Sequence, residues 1–374
     1  MTMDSASDKA LHVSADKVVT PLKKVDATTS RRDIDLHWLG EALKPIRKYL
    51  DDPEVVEISC QKPGELWLEK GGSLVMQRIE EPTLTEHAVE NMAVRSAALT
   101  AQVINRENPL LSAVLTGGER VQFVLHPASA TGHAFSIRKQ FIRRLSLVDY
   151  EKRGAFDHVK VTGDDDIDEV DRELSVLLRS KQVRKFLEVA ASEHRSMLVS
   201  GGTSSGKTTF LNTMLTAIPM HERFVLMEDT RELEPRHENV VSLLVSKGDQ
   251  GEAKVSMADL LATALRLRPD RIFMGELRGP EAFDFLNAIN TGHPGSMTTI
   301  HANSPHQAFN RLSTLIVNAG VRMERDDILK YIRSIIPIVV QLRKGDETVS
   351  RGVSEIYFRD EVNEDGEKVH SQVF

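Results

Sequence analysis

The chain has 374 residues, a formal net charge of −7, 40% apolar residues, 5% aromatics and a single cysteine, Cys60. Length and apolar content suit two domains with buried cores, while the acidic balance excludes a global basic field for nucleic acid and allows only a local patch. One cysteine excludes an internal disulfide and a cysteine-based zinc site and suits a reducing, cytoplasmic compartment. No apolar run is long enough for a signal peptide or a bilayer span.

Residues 1–32 are polar and aperiodic and are expected to form a tail. Residues 33–145 read as a smaller N-terminal α+β domain. A helix is expected over 37–50, kinked or started by Pro45, and strands over 55–58, 65–69 and, after the turn at Gly71 and Gly72, 73–79. A second helix is expected over 85–99. Polar and apolar residues alternate over 119–125 and 134–138, which predicts half-buried strands carrying Arg120 and Arg138. Taken alone, each arginine reads as a solvated strand residue. Residues 146–180, with an acidic run at 163–169, are expected to be a linker.

Residues 181–374 change texture. Short apolar runs at 197–200, 224–227, 272–274 and 297–300 alternate with helical periodicity. Ser256 and Asp259 form a capping-box pattern for a helix through Arg268. Pro280 opens another helix, which Gly292 ends, and Ser304-Pro305 starts a third. This pattern predicts an α/β domain with a parallel sheet covered on both faces.

Between the first strand and its helix stand Gly201, Gly202, Thr203, Ser204, Ser205, Gly206, Lys207 and Thr208, followed by Thr209. This is the complete P-loop spacing. Glycines allow the tight turns that aim successive amides at phosphate oxygens, and the helix adds its dipole. Lys207 is expected against the β- and γ-phosphates of ATP, with the Thr208 hydroxyl on Mg²⁺. The run at 271–274 delivers Glu276 to the ligand-binding end of the sheet, and Glu228 ends the run before it. Glu276 is assigned as water activator and Glu228 as the metal-side acid. His293 and His301 flank the run at 297–300; each alone is more often structural, and together they are candidates for sensing the γ-phosphate.

The blocks GGTSSGKTT, MEDTREL, RIFMGELRGPEAFDFLNAINTGHPGSMTTIHAN, GGERVQFVLHPA and SIRK resemble the secretion traffic ATPases over residues 35–360. They are most similar to the hexameric ATPases of type IV secretion and conjugative DNA-transfer systems. The resemblance implies a RecA-like C-terminal P-loop domain, a homo-hexameric ring and nucleotide between the two domains. It implies inner-membrane partners and a peripheral place on the cytoplasmic face of the inner membrane. It places Glu228 in an acidic box, Glu276 in the Walker B segment and His301 in a histidine box. Arg120 and Arg138 match the arginines that reach the γ-phosphate. The expected function is Mg²⁺-dependent ATP hydrolysis that powers substrate transfer or pilus assembly. Rival readings are an ATPase of a related pilus or type II machine, a slow ATP-binding assembly switch, and a nucleic-acid motor. Few aromatics and the negative charge argue against the last, and no direct sequence-specific nucleic-acid binding is expected.

Overall fold

The computed structural model describes residues 30–73, 75–140, 146–157, 159, 168–246, 252–345 and 350–359. The tail expected before residue 30 and most of the acidic run, 163–167, lie outside them. Helix α1 (Arg31–Ala42) begins earlier than expected and takes in Arg31 and Arg32. The cause is a capping box: the Asp33 amide donates to the Ser30 hydroxyl at 3.2 Å, and the Ser30 amide donates to the Asp33 carboxylate at 3.1 Å. Pro45 interrupts the expected single helix with a 3₁₀ turn at Lys44–Ile46, after which α2 (Arg47–Asp51) resumes.

The strands β1 (Val55–Cys60), β2 (Glu65–Lys70) and β3 (Gln77–Glu80) precede α3 (Glu86–Leu99), and β4 (Leu110–Val114), β5 (Arg120–Val124) and β6 (Ala134–Arg138) follow it. They pair antiparallel in the order β3-β2-β1-β6-β5-β4. The β4 run, Leu-Leu-Ser-Ala-Val, lacks clean alternation and was not foreseen. Ile58, Val121, Phe123, Phe135 and Ile137 pack on one face against Leu39 and Ile46 and against Val89 and Met92 of α3. The two-residue period of a strand turns Glu57, Ser59, Gln122 and Ser136 to the other face. There the Ser59 and Ser136 hydroxyls lie 2.9 Å apart, and Ser136 donates to Glu57, whose carboxyl burial pushes upward.

Helix α4 (Leu147–Lys152) buries none of its residues. Helix α5 (Glu169–Arg179) falls within the expected linker but belongs to a core: Leu174, Leu177 and Leu178 pack with Phe186 of α6 (Val183–Ser192). Its apolar residues follow helical spacing, and the Asp168 carboxylate caps it by accepting the Asp171 amide at 2.8 Å. The remaining elements are β7 (Met197–Gly201), α7 (Lys207–Leu215), β8 (Phe224–Glu228), β9 (Val240–Leu244), α8 (Met257–Ala264), β10 (Arg271–Met274), α9 (Glu281–Asn290), β11 (Met297–Ile300), α10 (Pro305–Asn318), α11 (Arg325–Ile335), β12 (Ile338–Arg343) and β13 (Gly352–Phe358). Helix α8 stops short of Arg268 because the residue before Pro269 is driven out of the helical region; Arg268 has φ +53°.

The seven strands run β13-β12-β7-β11-β10-β8-β9, parallel except for the edge strand β13. Alternate side chains serve opposite faces. Leu198, Val225, Ile272 and Ile300 pack under α8 to α11, while Val199, Phe224, Leu226 and Phe273 pack under α5 to α7. The two sheets meet along β9, where the Ala130 amide donates to the Ser242 carbonyl at 2.9 Å and the Leu244 amide to the Ala128 carbonyl at 2.8 Å. Arg268 pairs with Glu69, and Arg106 holds Glu252 at 2.6 and 2.7 Å across the same boundary.

At the start of β10, Arg271 is fully buried and forks onto Glu222, with Nε to Oε2 at 2.5 Å and Nη2 to Oε1 at 2.8 Å. Burial works to raise the Glu222 carboxyl, but hydrogen bonds with His194 and Arg271 outweigh it and hold it at about 2. Arg271→Ala strands a buried carboxylate and is expected to cost about 3–5 kcal/mol in urea unfolding. Because the folded value is depressed, the stabilisation is complete above the ordinary value of 4.5 and is lost as pH falls through about 2. The wild type should therefore lose stability steeply across that window, and the variant less steeply.

Candidate nucleotide-binding site

Strand β7 is buried along its whole length and ends at Gly201, where a side chain would collide with Ser205 and stand 3.1 Å from the Leu342 carbonyl. The loop then takes Ser204 through φ +62° and Gly206 through φ +89°, the latter a left-handed turn that glycine adopts without strain. Gly206 caps α7 with no side-chain acceptor, and the helix's bonding begins with the Phe210 amide on the Gly206 carbonyl at 2.9 Å. The amides of Lys207, Thr208 and Thr209 are left without intrahelical acceptors at the positive end of the helix dipole, an arrangement suited to an anion. Lys207 Nζ donates to the carbonyls of Gly201 and Gly202, each at 3.1 Å, and lies 3.5 Å from both ring nitrogens of His301. Burial lowers the Lys207 ammonium's pKa, with Glu276 opposing that shift. An arriving phosphate would give this cation a counter-charge in place of two carbonyl dipoles.

Parallel strands bring their C-terminal ends to the same place. Glu228, the last residue of β8, accepts the Glu232 and Leu233 amides on Oε1, each at 2.9 Å, while its buried Oε2 has no partner. Burial raises its pKa against those two amides. Glu276 Oε2 accepts from Arg278 Nη2 at 2.8 Å, and its Oε1 lies 3.3 Å from His301 Nε2. Arg278 also reaches Asp229 Oδ2 at 2.7 Å. The Thr299 hydroxyl donates to the Gly275 carbonyl at 2.8 Å and fixes the turn that carries Glu276. The loop from Thr203 to Thr209 and these side chains enclose a cavity of about 640 Å³, a size suited to a nucleotide.

The donor set fits Mg²⁺ that arrives with its nucleotide. Among the described residues no group of three or more His, Cys, Asp and Glu could cage a metal. The same cavity wall does carry the Thr208 side chain and the orphaned Glu228 Oε2. Mg²⁺ favours this mixture of one or two protein oxygens, waters and phosphates.

The expected residues Thr203, Ser204, Ser205, Gly206, Lys207, Thr208, Thr209, Glu228, Glu276 and His301 all line this cavity. Gly201 shapes the turn from the end of β7, and Gly202 faces a neighbouring hollow beside His301. Arg120 and Arg138 are elsewhere. They are cross-strand partners on β5 and β6 and line a separate cavity of about 660 Å³ with Glu57, Glu69, Lys139 and Arg268. Arg268 stands just before β10, at the end of the sheet where strands begin, whereas the P-loop lies where they finish. A strand length, on the order of 15 Å, separates the two ends. Within one chain, therefore, Arg120 and Arg138 do not approach the P-loop cavity. The N-terminal sheet docks along the β9 edge, with its arginines turned to the far end. His293 also sits at that end, with Nδ1 3.0 Å from the Pro269 carbonyl and its pKa lowered by burial; it does not reach the cavity.

Arg278 and Arg351 line the cavity and were not anticipated. Arg278 is two residues beyond Glu276, and its neighbour Asp229 comes from a different strand end; only the folded sheet joins them. Arg351 precedes β13, in a segment with no local motif.

Residues 171–352 match the family of Type II/IV secretion system proteins. The type IV secretion system protein VirB11 of Bartonella quintana is 36% identical over 329 residues, covering 84% of this chain and 91% of that protein. VirB11 of Brucella suis biovar 1 is 33% identical, covering 84% and 89%. The crystal structure of the VirB11 ATPase from the Brucella suis type IV secretion system, solved in complex with sulphate, superposes with a TM-score of 0.80 at 32% identity, covering 86% of this chain and 97% of that one. Its likeness extends over both sheets and both sides of the junction, so the chain belongs to the VirB11 family of type IV secretion system ATPases.

Proposed function

We propose that the cavity at the P-loop is where this chain hydrolyses ATP, with Mg²⁺, as one subunit of a homo-hexameric ring. The observation that carries this reading is the convergence of unpaired helix amides, Lys207, Thr208, Glu228 and Glu276 on one nucleotide-sized cavity. Lys207 and the loop amides bind the β- and γ-phosphates. Thr208 and Glu228 would hold the Mg²⁺ water shell, and the metal would supply charge neutralisation to the phosphates. Glu276 orients the attacking water and takes its proton as the γ-phosphoryl leaves ADP. His301, in reach of both Lys207 and Glu276, registers whether that phosphate is present. Phosphoryl transfer asks for little beyond such positioning and charge.

Arg120 and Arg138 lie directly opposite each other, an unfavourable arrangement for like charges. Neither forms an ion pair with any described residue. Two such cations, one strand length from their own P-loop, suit the terminal phosphate of a neighbouring subunit. Loss of that phosphate then frees one subunit's N-terminal sheet from the next, which converts hydrolysis into motion. Among the described residues no helix is long and apolar enough to cross a membrane. Kinship with type IV secretion system proteins supports a place for the ring at the cytoplasmic face of the inner membrane, held by membrane components of the secretion apparatus.

Glu276→Gln keeps the size of the side chain and removes its basicity. ATP turnover is expected to fall about 10²–10⁴-fold, the usual weight of general-base catalysis, with ATP affinity within a few-fold of wild type. Steady-state phosphate release together with calorimetric ATP binding checks this. Turnover that is near zero and equal in both proteins would favour the slow-switch reading.

A further inference from the structure

Arg351 has no role in the chemistry above, yet it lines the nucleotide cavity. It is exposed and forms no ion pair with any described residue, so its presence there is not explained by structural pairing. Its place in the sheet is informative. Strand β12 lies directly beside β7, with Leu342 in register with Gly201, and Arg343 pairs with Gly352 at the start of β13. Arg351 therefore stands at the C-terminal end of β12, on one flank of the P-loop. His301, Glu276 and Glu228 come from β11, β10 and β8, on the other flank.

A nucleotide in this cavity has a fixed polarity. Its terminal phosphate must face the flank that holds Glu276, because the attacking water is activated there. The helix amides ending at Thr209 take the phosphates nearer the ribose. The adenosine half then extends toward the flank bounded by the β12–β13 hairpin. We infer that Arg351 holds the adenosine half of the nucleotide, its planar guanidinium lying against the purine ring. Guanidinium suits this position better than an ammonium, since it stacks on aromatic faces and is weakly hydrated. Glu276 and Arg351 thus mark opposite ends of one ligand.

This inference rests on the cavity binding ATP, and the test separates the two. Wild type, Arg351→Ala, Arg351→Lys and Lys207→Ala are compared for ATP turnover, for ADP binding by calorimetry, and for inhibition by inorganic tripolyphosphate, which has the phosphates but no adenosine. For Arg351→Ala the KM for ATP and the Kd for ADP should rise about five- to tenfold, with kcat within twofold and tripolyphosphate inhibition unchanged. Arg351→Lys should restore little of the loss, because charge without the planar group does not stack. Equal weakening of tripolyphosphate, or full rescue by lysine, would make the contact a phosphate contact and overturn the inference. So would unaltered ADP binding, or a collapse of kcat at constant KM. Failure of the wild type to bind ADP would instead refute the nucleotide site itself. Arg351 is exposed, so the melting temperature of the nucleotide-free variant should match wild type, which separates a binding loss from a folding loss.

Discussion

Mixing Lys207→Ala with a chain carrying both Arg120→Ala and Arg138→Ala is expected to restore ATP turnover that neither variant shows alone. The first has intact arginines and a disabled P-loop; the second has the reverse. Within one chain the two sets line separate cavities, so the proposed mechanism requires each chain's arginines to serve another chain's phosphates. Cations supplied in this way are worth on the order of 10³–10⁵ in turnover. The doubly substituted chain should therefore be nearly inactive while still binding ATP, because its P-loop is untouched. At equal mixing, with subunits randomly placed, a sizeable fraction of the wild-type rate should return wherever an intact P-loop adjoins intact arginines. Activity that stays at the level of the separate variants would mean that the arginines act within their own chain, or not at all.

The second large effect concerns Lys207 itself. Lys207→Ala removes the cation that touches two loop carbonyls and stands beside His301. Turnover is expected to drop by at least about 10²–10³, the loss typical of one preorganised transition-state donor. Stability should change little or rise, since the ammonium is partly desolvated there without a carboxylate contact, and burial already lowers its pKa. A chemical unfolding curve alongside the rate assay distinguishes loss of chemistry from loss of fold. Retained turnover in this variant would remove the P-loop from the mechanism.

The P-loop was legible in the sequence because its physics is local. A buried strand, glycines at turns and an apolar helical stripe all fall within about twenty residues, and each leaves a pattern. The acids at the ends of β8 and β10 were legible for the same reason: an apolar run that stops at a carboxylate marks a strand end in a parallel sheet. Contacts made only by the folded sheet were not legible. Arg278 meets Asp229 across two strand ends, and Arg351 reaches the cavity by way of a hairpin that no motif announces.

The placement of the N-terminal sheet was hidden for a related reason. Its junction depends on Ser129 opposite Leu243, on Gln61 bonded to Asn239 and on Arg268 paired with Glu69. None of these residues carries a local signal until both partners are in place. The resemblance drawn from the sequence assigns Arg120 and Arg138 to the γ-phosphate but leaves open which chain's nucleotide they face, and within one chain the fold keeps them away from the P-loop cavity. Helix α5 stands where the acidic run predicts linker; its signal is short, carried by Leu174, Leu177 and Leu178 alone, whose spacing is helical.

Where the triphosphate lies is tested by one structure, that of the assembled protein bound to Mg²⁺ and a non-hydrolysable ATP analogue. Density for the inner phosphates is expected against the amides of Lys207, Thr208 and Thr209, with Lys207 Nζ drawn off the Gly201 and Gly202 carbonyls onto the terminal phosphates, and a neighbouring subunit's Arg120 or Arg138 at the γ-phosphate. At saturating analogue, a cavity without phosphate density, or terminal phosphates turned away from Glu276, would contradict the proposed mechanism.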